Sequence, residues 1–148
     1  MTTVKQILLD STKILSETSP SARLDVELLL QFVLNKSRTY LYSYPEKNLN
    51  ELEYKLFLAL LQQRSQGKPI AYITNKKEFW SLELEVTKDT LIPRADTEIL
   101  VEVALEAIKD LNQPIIFDLG TGSGAIAIAI ASERVDAKIY ASDECQKT

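Results

Sequence analysis

Asp118, Gly120, Thr121, Gly122, Ser123 and Gly124 stand in one short run, and a further carboxylate, Asp143, follows about twenty residues on. Closely spaced glycines let a backbone turn sharply and approach a ligand, while N–H groups at the start of a following helix face that ligand. Ile115-Ile116-Phe117 before the run reads as a buried parallel strand, and Ala125 to Ala131 after it opens a helix. This order of strand, glycine turn and helix suits a nucleotide-type cofactor.

Two cofactors fit the spacing. Gly120, Gly122 and Ala125 satisfy the relaxed dinucleotide pattern G-x-G-x-x-G/A, with Asp143 where a ribose-binding acid belongs. Asp118 discriminates between them. A carboxylate at the strand tip repels a pyrophosphate, but it welcomes S-adenosylmethionine, which carries an ammonium and a sulfonium and no phosphate. D-L-G-T-G-S-G therefore favours S-adenosylmethionine. The plainer alternative is that Asp118 caps the turn and the following helix is ordinary core.

The elements that must position this run divide by their period. Thr3 with Gln6 is a capping-box pattern, and Val4, Ile7, Leu8, Ser11, Ile14 and Leu15 follow helical spacing to about Glu17-Thr18. Ser19-Pro20 reads as N-cap and first turn of a second helix. Its residues Leu24, Val26, Leu28, Leu29, Leu30, Phe32 and Val33 wrap most of the circumference, which predicts burial among other helices. Ser37 caps a short third helix. Asn50 with Glu53 caps a fourth, with stripe Leu52, Leu56, Ala59, Leu60 and a stop at Gly67.

Beyond Lys68-Pro69 the period changes to two. Ile70 to Ile73 and Lys77 to Trp80 flank a turn at Thr74-Asn75-Lys76, and Leu82, Leu84 and Val86 alternate with glutamates. Asp96 is the expected N-cap of a helix burying Leu100, Val101, Ala104, Leu105 and Ile108. Lys138 to Ser142 reads as a second strand, tipped by Asp143. The predicted fold class is α/β: an all-α bundle over 1–66, a β-hairpin linker over 67–92, and from 93–148 the first part of a Rossmann-like domain.

Composition narrows the chemistry. The 148 residues carry a formal net charge of −4, with the acidic excess in the last third, which argues against clustered phosphate-backbone binding. Histidine is absent, so no His base or His metal site is available. Cys145 is the single cysteine, which excludes an internal disulfide and fits a reducing cytosol. The start lacks a signal-peptide h-region, and no run approaches the ~20 apolar residues of a membrane span. The expectation is a cytoplasmic protein with no metal, no direct nucleic-acid contact and no membrane association.

Gly67-Lys68-Pro69-Ile70-Ala71-Tyr72-Ile73, then Glu78-Phe79-Trp80, Leu91-Ile92-Pro93-Arg94, Asp96-Thr97-Glu98 and Asp118 to Ala125, in this order, resemble the bacterial peptide chain release factor glutamine methyltransferases of the PrmC/HemK family. Ala22 to Leu29 is similar to the N-terminal helical domain of that family. The resemblance implies methyl transfer from S-adenosylmethionine to the side-chain amide of the Gly-Gly-Gln glutamine in class I release factors. It implies that Gly120, Thr121, Gly122, Ser123 and Gly124 hold the cofactor, that Asp143 meets the ribose hydroxyls, and that Asp118 sits by the methionine end. It also implies that the bundle docks the release factor.

Arg94 is a substrate-side candidate, with an ion pair to Asp96 or Glu98 as its alternative. The family's Pro-Arg-Pro is Pro93-Arg94-Ala95 here, and Asn75 stands for a turn glycine. The family's Asn-Pro-Pro-Tyr segment, which positions the amide, does not occur. The chain is thus expected to end within the methyltransferase domain, to hold no catalytic residue itself and not to methylate unaided. Two other readings stay open: a non-catalytic release-factor-binding fragment, and a related ribosomal-protein amide or amine methyltransferase.

Overall fold

The computed structural model describes residues 2–145. Among them, seven helices and four short strands follow one another as helices α1 to α5, a hairpin β1–β2, and then α6, β3, α7 and β4. The chain forms two compact units, Met1–Thr74 and Asn75–Thr148.

In the first unit, α1 (Val4–Leu15) starts at Thr3, whose hydroxyl accepts the Gln6 N–H. The Gln6 side chain donates to Asp10 rather than closing a capping box. The remaining first-turn donors are met across the unit, with Val4 and Lys5 donating to the carbonyls of Lys47 and Pro45 at 2.9 Å. Helix α2 (Ala22–Leu34) begins two residues later than Ser19-Pro20 suggests. Ser19 is buried; its hydroxyl donates to Asp25 at 2.6 Å and accepts the Ser21 N–H at 3.2 Å, so it braces the entry to α2 while Ser21 takes the N-cap position.

Helix α2 does not bury its whole circumference. Leu24 and Phe32 are exposed, while Asp25 and Glu27 are buried beside Val26, Leu29 and Leu30. Each buried carboxylate has an arginine: Arg64 reaches Asp25 at 2.7 Å, and Arg23 and Arg38 reach Glu27. Removing one partner of such a pair strands a desolvated charge, which is strongly destabilising.

Helix α3 (Arg38–Ser43) is capped by Ser37 as expected, and α4 (Glu51–Ser65) carries the full Asn50–Glu53 capping box. The buried face of α4 is Phe57, Leu60 and Leu61; Leu52 and Leu56 of the expected stripe are exposed. In that stretch nearly every other residue is apolar, so spacing alone selects no single face. Gly67, at φ +90°, closes α4: its N–H donates to Arg64 O and the Lys68 N–H to Gln63 O.

Residues 70–74 correct the sequence reading. They form the short helix α5 (Ile70–Thr74), not a strand. Tyr72 and Ile73 donate to Pro69 O, and Ile73 joins the bundle core. Four residues with alternating bulk are too short to separate the two periods, and the preceding proline favours a helix start. The stretch 67–74 thus belongs with the first unit and the hairpin with the second.

In the second unit, β1 (Lys76–Phe79) and β2 (Leu82–Glu85) pair antiparallel around a turn at Trp80-Ser81. The expected turn at 74–76 is instead the junction of α5 with β1, where Asn75 takes a positive φ of 56°. Trp80 and Ser81 have φ of 53° and 58°, the left-handed backbone that tight two-residue hairpin turns demand. Glu98 on α6 (Thr97–Ala107) accepts the Trp80 N–H at 2.9 Å, and Glu133 on α7 (Ala125–Glu133) accepts its indole N–H at 2.8 Å.

Strands β3 (Ile115–Leu119) and β4 (Lys138–Ser142) pair in parallel, Ile115 opposite Lys138 through Leu119 opposite Ser142. Ile116 and Ile139 pack with α6, α7 and the hairpin around Val101, Ala129 and Ile130. The opposite face is bare: Ile115, Phe117 and Leu119 are exposed. The strand expected to be buried throughout is therefore covered on one side only, because α6, α7 and the hairpin all meet the Ile116 side.

Candidate functional site

The glycine turn lies at the C-terminal ends of the two parallel strands, the edge where open α/β sheets take their ligands. Gly120 and Thr121 both donate to Ser142 O, at 2.8 and 3.0 Å, so the strand pairing continues into the turn. Gly120, Gly122 and Gly124 have φ of 76°, 56° and 75°. Three positive values within five residues explain why glycine alternates there, since other residues pay for that backbone region.

An added Cβ would meet nothing within 4 Å at Gly120 or Gly122, so the turn is open on that side. At Gly124 it would meet Ile128 Cδ1 at 3.2 Å, a tight approach to the end of that side chain, and the φ of 75° would strain any other residue there. Among the described residues no side chain caps α7, which leaves its first-turn N–H groups without a side-chain acceptor.

Two carboxylates frame the turn. Asp118, half-buried at the tip of β3, accepts the Thr121 hydroxyl at 2.6 Å through Oδ2. Asp143, just past β4, accepts the Gly122 N–H at 2.8 Å and the Cys145 N–H at 2.8 Å. Asp118, Gly120, Thr121, Gly122, Ser123, Gly124 and Asp143 thus come together as the sequence suggests, with Thr121 and Gly122 as the hydrogen-bonding links.

Arg94 is not among them. It is exposed on the loop before α6, where its carbonyl accepts the Thr97 N–H. Among the described residues its side chain pairs with neither Asp96 nor Glu98. Glu98 is committed to Trp80 instead.

At the other end of the sheet, Arg134 donates to Ile108 O and Leu111 O at 2.5 and 2.7 Å while pairing with Asp136. The Arg134 guanidinium and the Gln113 N–H lower the Asp136 carboxyl to about 2. This cluster ties the link before β3 to the link before β4, at the end of the sheet opposite the glycine turn. The links among Trp80, Glu98 and Glu133, and between Arg134 and the Ile108 and Leu111 carbonyls just after α6, join residues 18 to 53 positions apart. Periodicity and short motifs carry no signal for such pairs.

Residues 6–74 match the family model of the PrmC N-terminal domain. Over 132 residues the chain is 51% identical to a release factor glutamine methyltransferase of Shewanella oneidensis, covering 89% of this chain and 46% of the relative. A Coxiella burnetii protein of the same name is 48% identical over 146 residues, covering 99% and 53%. The Escherichia coli protein of that name is 48% identical over 128 residues, covering 86% and 46%. The chain spans about half the length of the curated relatives it matches. Over that span it is similar to proteins named release factor glutamine methyltransferase, and its residues 6–74 carry the PrmC N-terminal domain.

Proposed function

We propose that this chain supplies the docking bundle and the cofactor turn of an enzyme that methylates the Gly-Gly-Gln glutamine of class I peptide chain release factors. The observation that carries the reading is the closed turn with its two carboxylates, found in a chain about half identical to proteins bearing that name. The donor set suits S-adenosylmethionine. Asp118 at the strand tip offers negative charge to an ammonium, and Asp143, held by the Gly122 and Cys145 N–H groups, offers carboxylate oxygens to ribose hydroxyls. The open side of Gly120 and Gly122 admits a ligand close to the backbone.

S-adenosylmethionine, when bound, supplies an electrophilic methyl group. The accepting amide nitrogen is a weak nucleophile, its lone pair being delocalised into the carbonyl, so the protein's task is alignment and exclusion of water. Asp118 and the glycine turn would anchor the donor, and the bundle would hold the release factor. Translation termination would be the setting, and the cytoplasm the compartment; no described helix is long and apolar enough to cross a membrane.

Calorimetric titration of the chain with S-adenosylmethionine and with NAD tests the cofactor assignment. Preference for S-adenosylmethionine is the expected result, and tighter NAD binding would overturn it. Methyl transfer by a full-length relative carrying these residues, to release factor rather than ribosomal protein, tests the substrate.

A further inference from the structure

The surface over Glu27 rests on the docking role just proposed and gives it a chemistry. The Glu27 side chain is fully buried, yet its oxygens accept from Arg23 Nε at 2.9 Å, Arg38 Nε at 2.7 Å and the Tyr42 hydroxyl. Arg23 also donates to the Tyr42 oxygen at 3.2 Å. Both guanidinium carbons lie 5.8 Å from the Tyr42 ring centroid, so the two arginines and the tyrosine form one locked assembly on a single carboxylate.

That assembly is anchored inside and open outside. The Arg38 side chain is 62% exposed and gives Glu27 only its Nε–H of five donors. Lys36 lies 5.7 Å from the Tyr40 ring, and Tyr40 pairs with the exposed Tyr44 at 4.7 Å between centroids. Arg23, Lys36 and Arg38 against one buried carboxylate leave local positive charge on a chain whose net charge is −4.

We propose that this patch receives a carboxylate-bearing segment of the protein partner, with the Arg38 fork as the principal contact and Tyr42 and Tyr44 as its apolar flanks. A guanidinium fork matches a carboxylate bidentately, and Arg and Tyr are the residue types that dominate protein–protein hot spots. Glu27 and Tyr42 already hold the arginines, so little side-chain freedom is lost on binding. Nucleic acid fits less well. The guanidinium groups crowd the Tyr42 ring where a base would stack, and three cations are few for a phosphate backbone.

The test is calorimetric titration of the full chain with a class I release factor at low and physiological salt. Wild type is expected to bind more weakly as salt rises. Arg38→Gln is expected to bind about tenfold more weakly, and Lys55→Gln, which removes a cation paired with Glu51 on α4, to bind as wild type. Arg38→Lys separates recognition from folding, because it keeps a charge beside Glu27 but not the fork. A variant that melts as wild type and binds about tenfold more weakly supports the proposal. Full affinity in Arg38→Gln or Arg38→Lys overturns it and leaves the docking role standing. No binding by wild type overturns both. Arg38-dependent binding of a single-stranded RNA oligonucleotide, with none of the release factor, would also overturn it.

Discussion

The Asp143 carboxylate accepts the Gly122 N–H at 2.8 Å, joining the tip of β4 to the middle of the glycine turn across 21 residues of sequence. The bond exists because β3 and β4 run parallel in register, which brings the ends of both strands to one edge. Asp118 grips the other side of the turn through Thr121. The turn is therefore held from both strands.

Replacing Asp143 with alanine removes both a ligand group and this brace. Affinity for S-adenosylmethionine is expected to fall by about 1–3 kcal/mol, the cost of losing a hydrogen bond to a charged group. Calorimetry on the chain, or on a full-length relative bearing the substitution, checks it. Unchanged affinity would remove Asp143 from the site.

Acid stability should carry the mark of Glu27. Burial by itself would raise its pKa, but hydrogen bonds from Tyr42, Arg38 and Arg23 outweigh that and hold the carboxyl below its ordinary value of 4.5. An acid depressed in the fold contributes stability above its unfolded pKa and loses it as pH falls through the folded value. Thermal melts should therefore drop below about pH 4.5 in wild type. Glu27→Gln should melt lower at neutral pH, by about 1–3 kcal/mol, with a shallower acid limb. Asp136, whose pKa is lowered from 3.8 to about 2, contributes to the same limb over that interval. Identical pH profiles for wild type and Glu27→Gln would show that the Glu27 assembly adds nothing.

The sequence showed most clearly what is local. The caps at Thr3, Ser37 and Asn50 rest on contacts within a few residues, and the glycine turn announces itself by its alternating glycines although its braces reach Ser142 and Asp143; each was legible. Buried Asp25 and Glu27 were not, because a carboxylate in an amphipathic helix normally faces water. Their arginine partners lie as far as 39 residues away. The hairpin turn was misplaced for a related reason: Trp80-Ser81 lacks the usual Asn-Gly signature, and its backbone is held by Glu98 from another element. Helix α5 was lost to the ambiguity of four residues.

Helix α5 also defines which fragment should fold alone. The bundle core includes Ile73, with Ile70 packed against it, and the first compact unit runs to Thr74. A fragment of residues 1–74 is expected to give a helical far-UV spectrum and one cooperative melt. Residues 1–66 lack Ile73 and the Gly67 closure of α4, and should be less stable by several kcal/mol, as for loss of a buried isoleucine. Ile73→Ala within 1–74 should cost about 2–5 kcal/mol. Equal stability of the two fragments would show that α5 contributes nothing to the bundle.

The last expectation concerns the uncovered side of the sheet. Ile115, Phe117 and Leu119 alternate outward from β3 and are 63%, 66% and 78% exposed. Tyr140 stacks on Phe117 with 5.2 Å between ring centroids, extending the apolar surface onto β4. Parallel strands are rarely left open on one face, because their apolar residues gain roughly 25 cal/mol for each Å² removed from water. The two-stranded sheet also has unpaired edges, which offer backbone donors and acceptors to a second strand. Face and edges together favour self-association of the chain, with mass by light scattering rising with concentration. Phe117→Ser and Leu119→Lys should each shift the chain toward monomer while leaving its melt nearly unchanged, since neither side chain belongs to the covered core. Hydrogen exchange adds a second measure: amides of Ile116, Phe117 and Ile139 should exchange faster than those of α2 and α4 at low concentration, and slow as association proceeds. A monomer at every concentration, with β3 protected as strongly as the bundle, would show that the bare face carries no such penalty.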